Sequence, residues 1–133
     1  MASSFTNIII MDIKKVVDSS PRKRAAGGIS ADEIVSAEKV LGLHFAPDYR
    51  ELLANYGSLF LKGEEFLGIE VVDVTQNAKE EYSDFPQGMY VISKTYIDGI
   101  LLVQDVNGAI YTYQPEKGCQ KIAVSLAEYI SSL

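Results

Sequence analysis

Residues 30–57 carry the start and stop signals of two consecutive helices, and these signals constrain the fold more than any other feature. Ser30-Ala31-Asp32-Glu33 is a capping box, in which the Ser30 hydroxyl and the Glu33 carboxylate bind free N–H groups of the first helical turn. An apolar stripe follows at helical spacing and comprises Ile34, Ala37, Val40 and Leu41. Gly42 then predicts a left-handed helix end.

A second helix is predicted directly after the first. Pro47 suits the first helical position, and Asp48 is favourable in the first turn. The apolar stripe continues at Tyr49, Leu52, Leu53 and Tyr56, and Gly57 ends the helix. The two helices form a hairpin. We expect Tyr49 to be buried with its hydroxyl hydrogen-bonded. Glu38 is either solvated or caps the link 43–46, and we favour the capping role over a ligand role.

From Ser58 onward the apolar period changes from helical spacing to two, which is typical of strands. Short strands are predicted around Leu59, Leu61, Phe66, Ile69 and Val71, and longer ones at Met89–Ser93, Ile100–Gln104 and Ala109–Tyr113, with Ile122–Val124 as a last short strand. Asp98-Gly99 and Asn107-Gly108 predict hairpin turns. The polar segment 73–85 is either a short helix or an ordered loop. Ser125-Leu126-Ala127-Glu128 is a second capping box and opens a terminal helix with Leu126, Tyr129, Ile130 and Leu133 inward.

The N-terminal residues form a distinct segment. Residues 4–18 predict an amphipathic helix capped by Ser3 or Ser4, and residues 19–28 predict a loop that ends in Gly27-Gly28. We therefore predict an N-terminal helix and linker over 1–28, docking separately from a single domain over 29–133. The fold class is α+β, with N-terminal helices, a central antiparallel β-sheet meander and a C-terminal helix packed on the sheet.

The charge distribution favours a basic protein partner. Residues 1–24 hold five of the 12 basic and two of the 18 acidic residues, so the rest of the chain has a net charge of −9. An acidic body repels nucleic-acid backbones, and we expect no nucleic-acid partner. The longest apolar runs are far shorter than the ~20 residues that span a bilayer. We expect no membrane association and a cytoplasmic protein.

No catalytic motif stands out. The chain has one Cys and one His, Cys119 and His44, which are too few for a His/Cys metal cluster. A Cys–His nucleophile pair and a carboxylate pair for glycoside hydrolysis remain formal alternatives. We expect a packed histidine, no cofactor, no metal and no enzymatic activity.

The densest acidic stretch is the predicted partner-binding site. It includes one tyrosine, an amphipathic side chain that often anchors interfaces. The predicted binding residues are Glu64, Glu65, Glu70, Asp73, Glu80, Glu81, Tyr82 and Asp84.

An ordered set of short motifs resembles the SUKH superfamily over about residues 29–133. The set is Glu38-Lys39-Val40-Leu41-Gly42, Pro47-Asp48-Tyr49, Asn55-Tyr56-Gly57, Glu65-Phe66-Leu67-Gly68, Pro86-Gln87-Gly88-Met89 and Val124-Ser125-Leu126-Ala127-Glu128. Unlike many members, the chain has no Trp, and it has an extra N-terminal segment.

The resemblance implies an immunity protein that binds and blocks a cognate toxin domain, often a nuclease. Other members are cell-wall regulators and secretion-associated proteins, so a regulatory interaction module is the alternative. The toxin and the oligomeric state, a monomer or a weak dimer, stay open at this point.

Overall fold

The computed structural model describes residues 12–94 and 98–133 of the chain. The helices in these residues are α1 Ile13–Asp18, α2 Ala31–Leu41, α3 Pro47–Asn55, α4 Val71–Glu81 and α5 Leu126–Ser132. The strands are β1 Arg24–Ala25, β2 Leu59–Leu61, β3 Glu64–Phe66, β4 Met89–Ser93, β5 Leu101–Asp105, β6 Ile110–Gln114 and β7 Gly118–Ala123. All strand pairs are antiparallel. The predicted α+β class is confirmed.

The strands form two sheets rather than one continuous meander. Strands β1–β3 form a three-stranded sheet, and β4–β7 form a four-stranded sheet in sequence order. The Leu67 N–H donates to the Ile92 carbonyl at 2.8 Å and connects the end of β3 to β4. Asp98 and Gly99 have φ angles of 60° and 72°, as the predicted turn requires.

Strand β7 begins earlier than the predicted strand 122–124. The turn before it includes Glu116 at a φ of 70°, and Gln114 then pairs with Gly118. Five of the six β7 residues are exposed, so the strand lacks the apolar alternation by which strands are recognised. Strand β7 lies at the edge of the sheet, and its side-chain pattern does not predict its pairing with β6.

Segment 71–81 is a helix, which decides between the two alternatives for the polar connection. Val71, Thr75 and Ala78 form its buried face at intervals of four and three residues. The predicted strand around Ile69 and Val71 is wrong, because Val71 is the first residue of α4 and Ile69 lies in the turn before it. The buried positions of α4 hold Val, Thr and Ala, which give only a weak apolar pattern among the polar residues of this segment.

The N-terminal region packs against the body of the protein. Ile13 and Val17 are buried, and α1 contacts α3 and α5. The Ala26 N–H donates to the Ser58 carbonyl and the Ile29 N–H to the Leu53 carbonyl, both at 2.9 Å. A Cβ atom on Gly28 would lie 2.0 Å from the Ala54 carbonyl oxygen, so this glycine permits close backbone approach. The predicted helix residues 4–11, with the cap at Ser3 or Ser4, lie outside the described residues.

A cluster of aromatic rings forms the centre of the core. The ring centroids of Phe45, Tyr49 and Tyr90 lie 4.9–5.4 Å from one another. The Tyr49 hydroxyl donates to the Leu67 carbonyl, which confirms the predicted buried and hydrogen-bonded tyrosine. This cluster joins α3 to β4 and thus the helical hairpin to the larger sheet.

Two residues predicted to point inward are exposed. Val40 is 56% exposed because the buried face of α2 consists of Ile34, Ala37, Glu38 and Leu41, and Val40 lies beside that face. Leu133 is 43% exposed because it follows the last residue of α5.

Candidate functional site

A surface groove lies between α2 and the start of α4. It has a volume of about 510 Å³. Its lining residues are Asp32, Glu33, Ser36, Ala37, Val40, Ile69, Glu70, Val72 and Asp73. Val40 is 56% and Ile69 41% exposed, so apolar surface remains in contact with water in and around the groove. We call this feature the α2–α4 groove.

Carboxylates form the charged part of the groove wall. Asp32 and Glu33 lie in the first turn of α2, and Glu33 closes the predicted capping box with Ser30. Glu70 is the N-cap of α4, and Asp73 lies in its first turn. The positive ends of the two helix dipoles stabilise these charges. No Lys or Arg is present among the groove residues that the structure describes, so the wall is an acidic surface around an apolar floor.

The structure divides the predicted acidic site into separate parts. Helix α4 is 11 residues long, which corresponds to about 16 Å. Glu70 and Asp73 lie at its start, in the groove, whereas Glu80 and Glu81 lie in its last turn. The eight predicted residues therefore do not form one continuous face.

Glu64 lies inside the protein, where a partner does not reach it without rearrangement. It is 5% exposed, and its carboxylate accepts from the Tyr129 hydroxyl at 2.7 and 2.9 Å. Burial raises the pKa of Glu64, although hydrogen bonds from Tyr129 and Ser93 act in the opposite direction. The next residue in β3, Glu65, is exposed because strand side chains alternate between faces.

Asp84 and Tyr82 lie beyond the end of α4 and contact Tyr113. Asp84 is exposed, and its carboxylate accepts from the Tyr113 hydroxyl and from the Glu116 N–H. These two bonds hold the pKa of Asp84 below its ordinary value. The Tyr82 ring lies 6.2 Å from the Tyr113 ring. Asp84 thus connects the end of α4 with the turn between β6 and β7.

The predicted binding residues include two of the four groove carboxylates, Glu70 and Asp73, and none of the apolar groove residues. The sequence pattern indicates only a helix start at Asp32 and Glu33, core at Val40 and a strand at Ile69. The helical period by itself places Val40 outside the buried row of α2. Ile34, Glu38 and Leu41 occupy positions i, i+4 and i+7 of that row. No sequence signal places Ile69 beside Val40.

Glu38 has the structural role that we predicted. Its Oε2 accepts from the Phe45 N–H and from the Arg50 guanidinium, both at 2.8 Å. Burial opposes its ionisation, but the bonds from Arg50 and Phe45 outweigh burial and lower the pKa of Glu38. His44, which we predicted to be packed, is largely exposed, with Nδ1 3.8 Å from the same oxygen. Glu38 thus caps the link 43–46 through the Phe45 N–H, and the His44 imidazole is exposed to solvent.

The described residues offer no metal-binding cluster of three or more His, Cys, Asp or Glu side chains. The pKa of the Cys119 thiol is raised by burial of the sulfur and by Asp84. A raised pKa reduces the thiolate fraction, and the thiolate is the nucleophilic form.

No helix in the described part of the chain has the length and apolar character needed to cross a bilayer.

Comparison with known protein families gives a match over nearly the whole chain. The SUKH_5 family, described as SMI1-KNR4 cell-wall, matches residues 6–133. The chain belongs to this family. The match also includes most of the segment 1–28, which lay outside the resemblance drawn from the motifs. No curated protein matches the chain.

A hydrogen-bond network through Asp48 and Leu126, two residues of the SUKH-like motifs, connects parts of the core. The Ala46 N–H donates to the Tyr90 hydroxyl at 2.8 Å, and that hydroxyl donates to Gln104 Oε1 at 2.6 Å. Gln104 Nε2 donates to Asp48 Oδ1 at 3.0 Å, and Asp48 Oδ2 accepts from the Leu126 N–H at 2.8 Å. Asp48 therefore connects the start of α3 with the start of α5. The side chains of this network are structural, whereas Ile69 in the groove is 41% exposed.

Proposed function

We propose that this SUKH protein is an immunity protein that binds a toxin domain, forms a stoichiometric complex with it and thereby blocks its activity in the cytoplasm. The observation that carries the proposal is the α2–α4 groove, in which the exposed apolar residues Val40 and Ile69 lie among carboxylates. Exposed apolar surface with a polar rim is typical of protein-interaction sites. Family membership is compatible with this function.

Charge supports a basic target such as a nuclease domain. Nucleases bind phosphate backbones through Lys and Arg, so the surface to be blocked is positive. The chain has a net charge of −6. Charge complementarity accelerates the encounter and restricts the choice of partner. In this proposal the protein acts by occupying a surface, without turnover, metal or cofactor.

A regulatory interaction module is the second candidate, because the family description refers to the cell wall. A regulator would use the same kind of groove for an endogenous partner. Its deletion would change growth or the envelope in cells that carry no toxin gene, whereas deletion of an immunity protein harms only cells that carry the toxin.

The proposal is tested by identifying the genes that flank the gene of this chain and expressing the C-terminal domain of any large secreted protein encoded there as the candidate toxin. We expect co-expression to restore growth, and we expect toxin activity in vitro to fall linearly to zero at an equimolar amount of the protein. Complete inactivation by a small fraction of an equivalent would indicate catalysis and contradict the proposal. An envelope defect on deletion in cells without any toxin gene would favour the regulator.

The protective surface is then located with matched variants. Val40→Ser combined with Ile69→Ser removes the exposed apolar groove residues, and Val35→Ser removes an exposed valine of α2 that does not line the groove. We expect the double variant to lose protection and Val35→Ser to keep it. Charge reversal at Glu80 and Glu81 tests the other end of α4 in the same assay.

A further inference from the structure

We infer that the α2–α4 groove recognises a basic amphipathic helix of the partner, rather than an extended segment or a second copy of this chain. The inference rests on the proposed function in one respect only, namely that the helix belongs to a toxin domain. The geometry of the groove walls, their length and their charge carry it.

Most of the groove lining has helical backbone: the five α2 residues and, on the opposite side, Val72 and Asp73 of α4, which the turn residues Ile69 and Glu70 precede. The α2 wall presents Asp32, Ser36 and Val40 in one row at intervals of four residues, and Glu33 and Ala37 in the neighbouring row. The backbone groups of a helix are hydrogen-bonded within the helix, apart from the N–H groups of its first turn. An extended segment in the groove would find no free strand edge, and its own N–H and C=O groups would lose water without replacement. In a helical segment, most of these groups are hydrogen-bonded within the segment itself.

The α2 wall of the groove has the length of a short helix. Helix α2 has 11 residues, or about three turns and about 16 Å. Ser36 and Ala37 are small side chains in the middle of the wall, so they leave a depression between the larger residues. Helices pack by placing rows of side chains into such depressions at interaxial distances of about 8–10 Å. An apolar row at positions i, i+4 and i+7 of the partner would follow the groove toward Val40 and Ile69.

The charges of the two walls specify the flanks of the partner helix. Asp32 and Glu33 belong to the α2 wall, and Glu70 and Asp73 to the α4 wall. A helix between these walls has carboxylates on both sides of its apolar row. Lys or Arg on both flanks of that row therefore complements the groove.

Within residues 12–94 and 98–133, a second copy of this chain does not offer the required helix. The chain is acidic, so two copies repel each other electrostatically. The apolar residues of α1, Ile13 and Val17, are buried in its own core. Among the helices that the structure describes, none presents a free apolar row with Lys or Arg on both flanks. The occupant is accordingly a different, basic protein.

The test uses the full chain and a synthetic probe. The probe is a lactam-bridged helical peptide of about four turns with Leu at i, i+4 and i+7 and Lys on both flanks. A second peptide of identical composition has its Leu residues distributed around the helix. Titration is followed by backbone amide chemical shifts. We expect the first peptide to shift residues 32–40 and 69–73, and the second to bind at least about tenfold more weakly, since its apolar surface stays in water.

Variants decide whether the groove itself binds. Val40→Ser with Ile69→Ser should weaken binding of the first peptide about tenfold or more, and Val35→Ser should leave it within about twofold. Asp32→Asn with Asp73→Asn should weaken it, whereas Glu80→Gln with Glu81→Gln should not. Equal affinity for both peptides, shifts centred on residues 80–84, or no groove shifts at millimolar peptide would each overturn the inference.

The same measurements separate this inference from the proposed function. Groove-specific peptide binding together with absent toxin protection would overturn the immunity role and leave the helix-binding groove in place. Protection that persists in the Val40→Ser, Ile69→Ser variant would overturn the groove inference and leave the immunity role in place.

Discussion

The Asp48 carboxylate accepts a hydrogen bond from the Leu126 backbone N–H at 2.8 Å, across 78 positions of sequence. Its other oxygen accepts from Gln104 Nε2 at 3.0 Å. One side chain thereby holds together the start of α3, strand β5 and the start of α5. An acidic residue in the first turn of a helix is ordinarily explained by the helix dipole alone, but here it also connects distant elements.

Replacement of Asp48 should destabilise the protein. We expect Asp48→Ala to lower the free energy of unfolding by about 1–3 kcal/mol, because the Leu126 N–H loses its acceptor and the buried Gln104 amide keeps only the Gly108 carbonyl. The measurement is urea denaturation, and Asp32→Ala, an exposed first-turn residue of α2, is the matched control. Equal losses in the two variants would mean that Asp48 acts only through its helix.

The Glu38 carboxylate should stabilise the protein in a pH-dependent way. The pKa of Glu38 is lowered in the folded protein from an ordinary value of 4.5. Its contribution is therefore present above pH 4.5 and is lost as the pH falls through the lowered pKa. At neutral pH we expect Glu38→Gln to lower the free energy of unfolding by about 1.5–3 kcal/mol, as for a hydrogen bond to a charged group. Urea denaturation at several pH values checks this.

The control for Glu38 is Glu51→Gln, which removes an exposed carboxylate in the neighbouring helix. The difference between wild type and Glu38→Gln should shrink toward acidic pH, while the Glu51→Gln difference stays small. A difference for Glu38→Gln that grows as the pH falls would contradict the assigned direction.

Glu64 should show the opposite dependence. The pKa of Glu64 is raised in the folded protein, because burial disfavours the charged form. The folded state therefore holds the proton more tightly than the unfolded chain, and stability relative to Glu64→Gln should fall as the pH rises from 4.5 through the raised pKa. Thermal unfolding of the two proteins between acidic and neutral pH checks the sign. Glu65→Gln, the exposed neighbour in β3, should run parallel to wild type throughout.

Ile13 tests whether residues 1–28 form a separate unit. The division into 1–28 and 29–133 stays a prediction, but the burial of Ile13 at the contact of α1 with the body favours one cooperative transition. We expect Ile13→Ala to lower the free energy of that transition by about 2–5 kcal/mol, as for other buried Ile-to-Ala changes. Val35→Ala, at a 48% exposed residue, should have little effect. A main transition unaffected by Ile13→Ala would show that the N-terminal helix docks separately.

Local signals in the sequence predicted the helices better than the sheets. The Ser30–Glu33 capping box and the left-handed Gly42 mark both ends of α2 as predicted. The Ser125 hydroxyl caps α5 through the Glu128 N–H, again as predicted. The sequence predicts only the end of strand β7 and does not decide between helix and loop for α4, because edge pairing and shallow burial leave weak side-chain patterns.

The sequence by itself determined where α2, α3 and α5 begin and the buried and bonded state of Tyr49, and it favoured the capping role of Glu38. Each of these depends on groups within a few residues of one another, or on one strongly apolar face. Only the tertiary structure decided that Glu64 is buried, that Val40 is exposed, and that Ile69 and Asp73 lie opposite α2. Burial depends on which distant segment covers a side chain, and the groove exists because α2 and α4, about 30 residues apart in sequence, pack side by side.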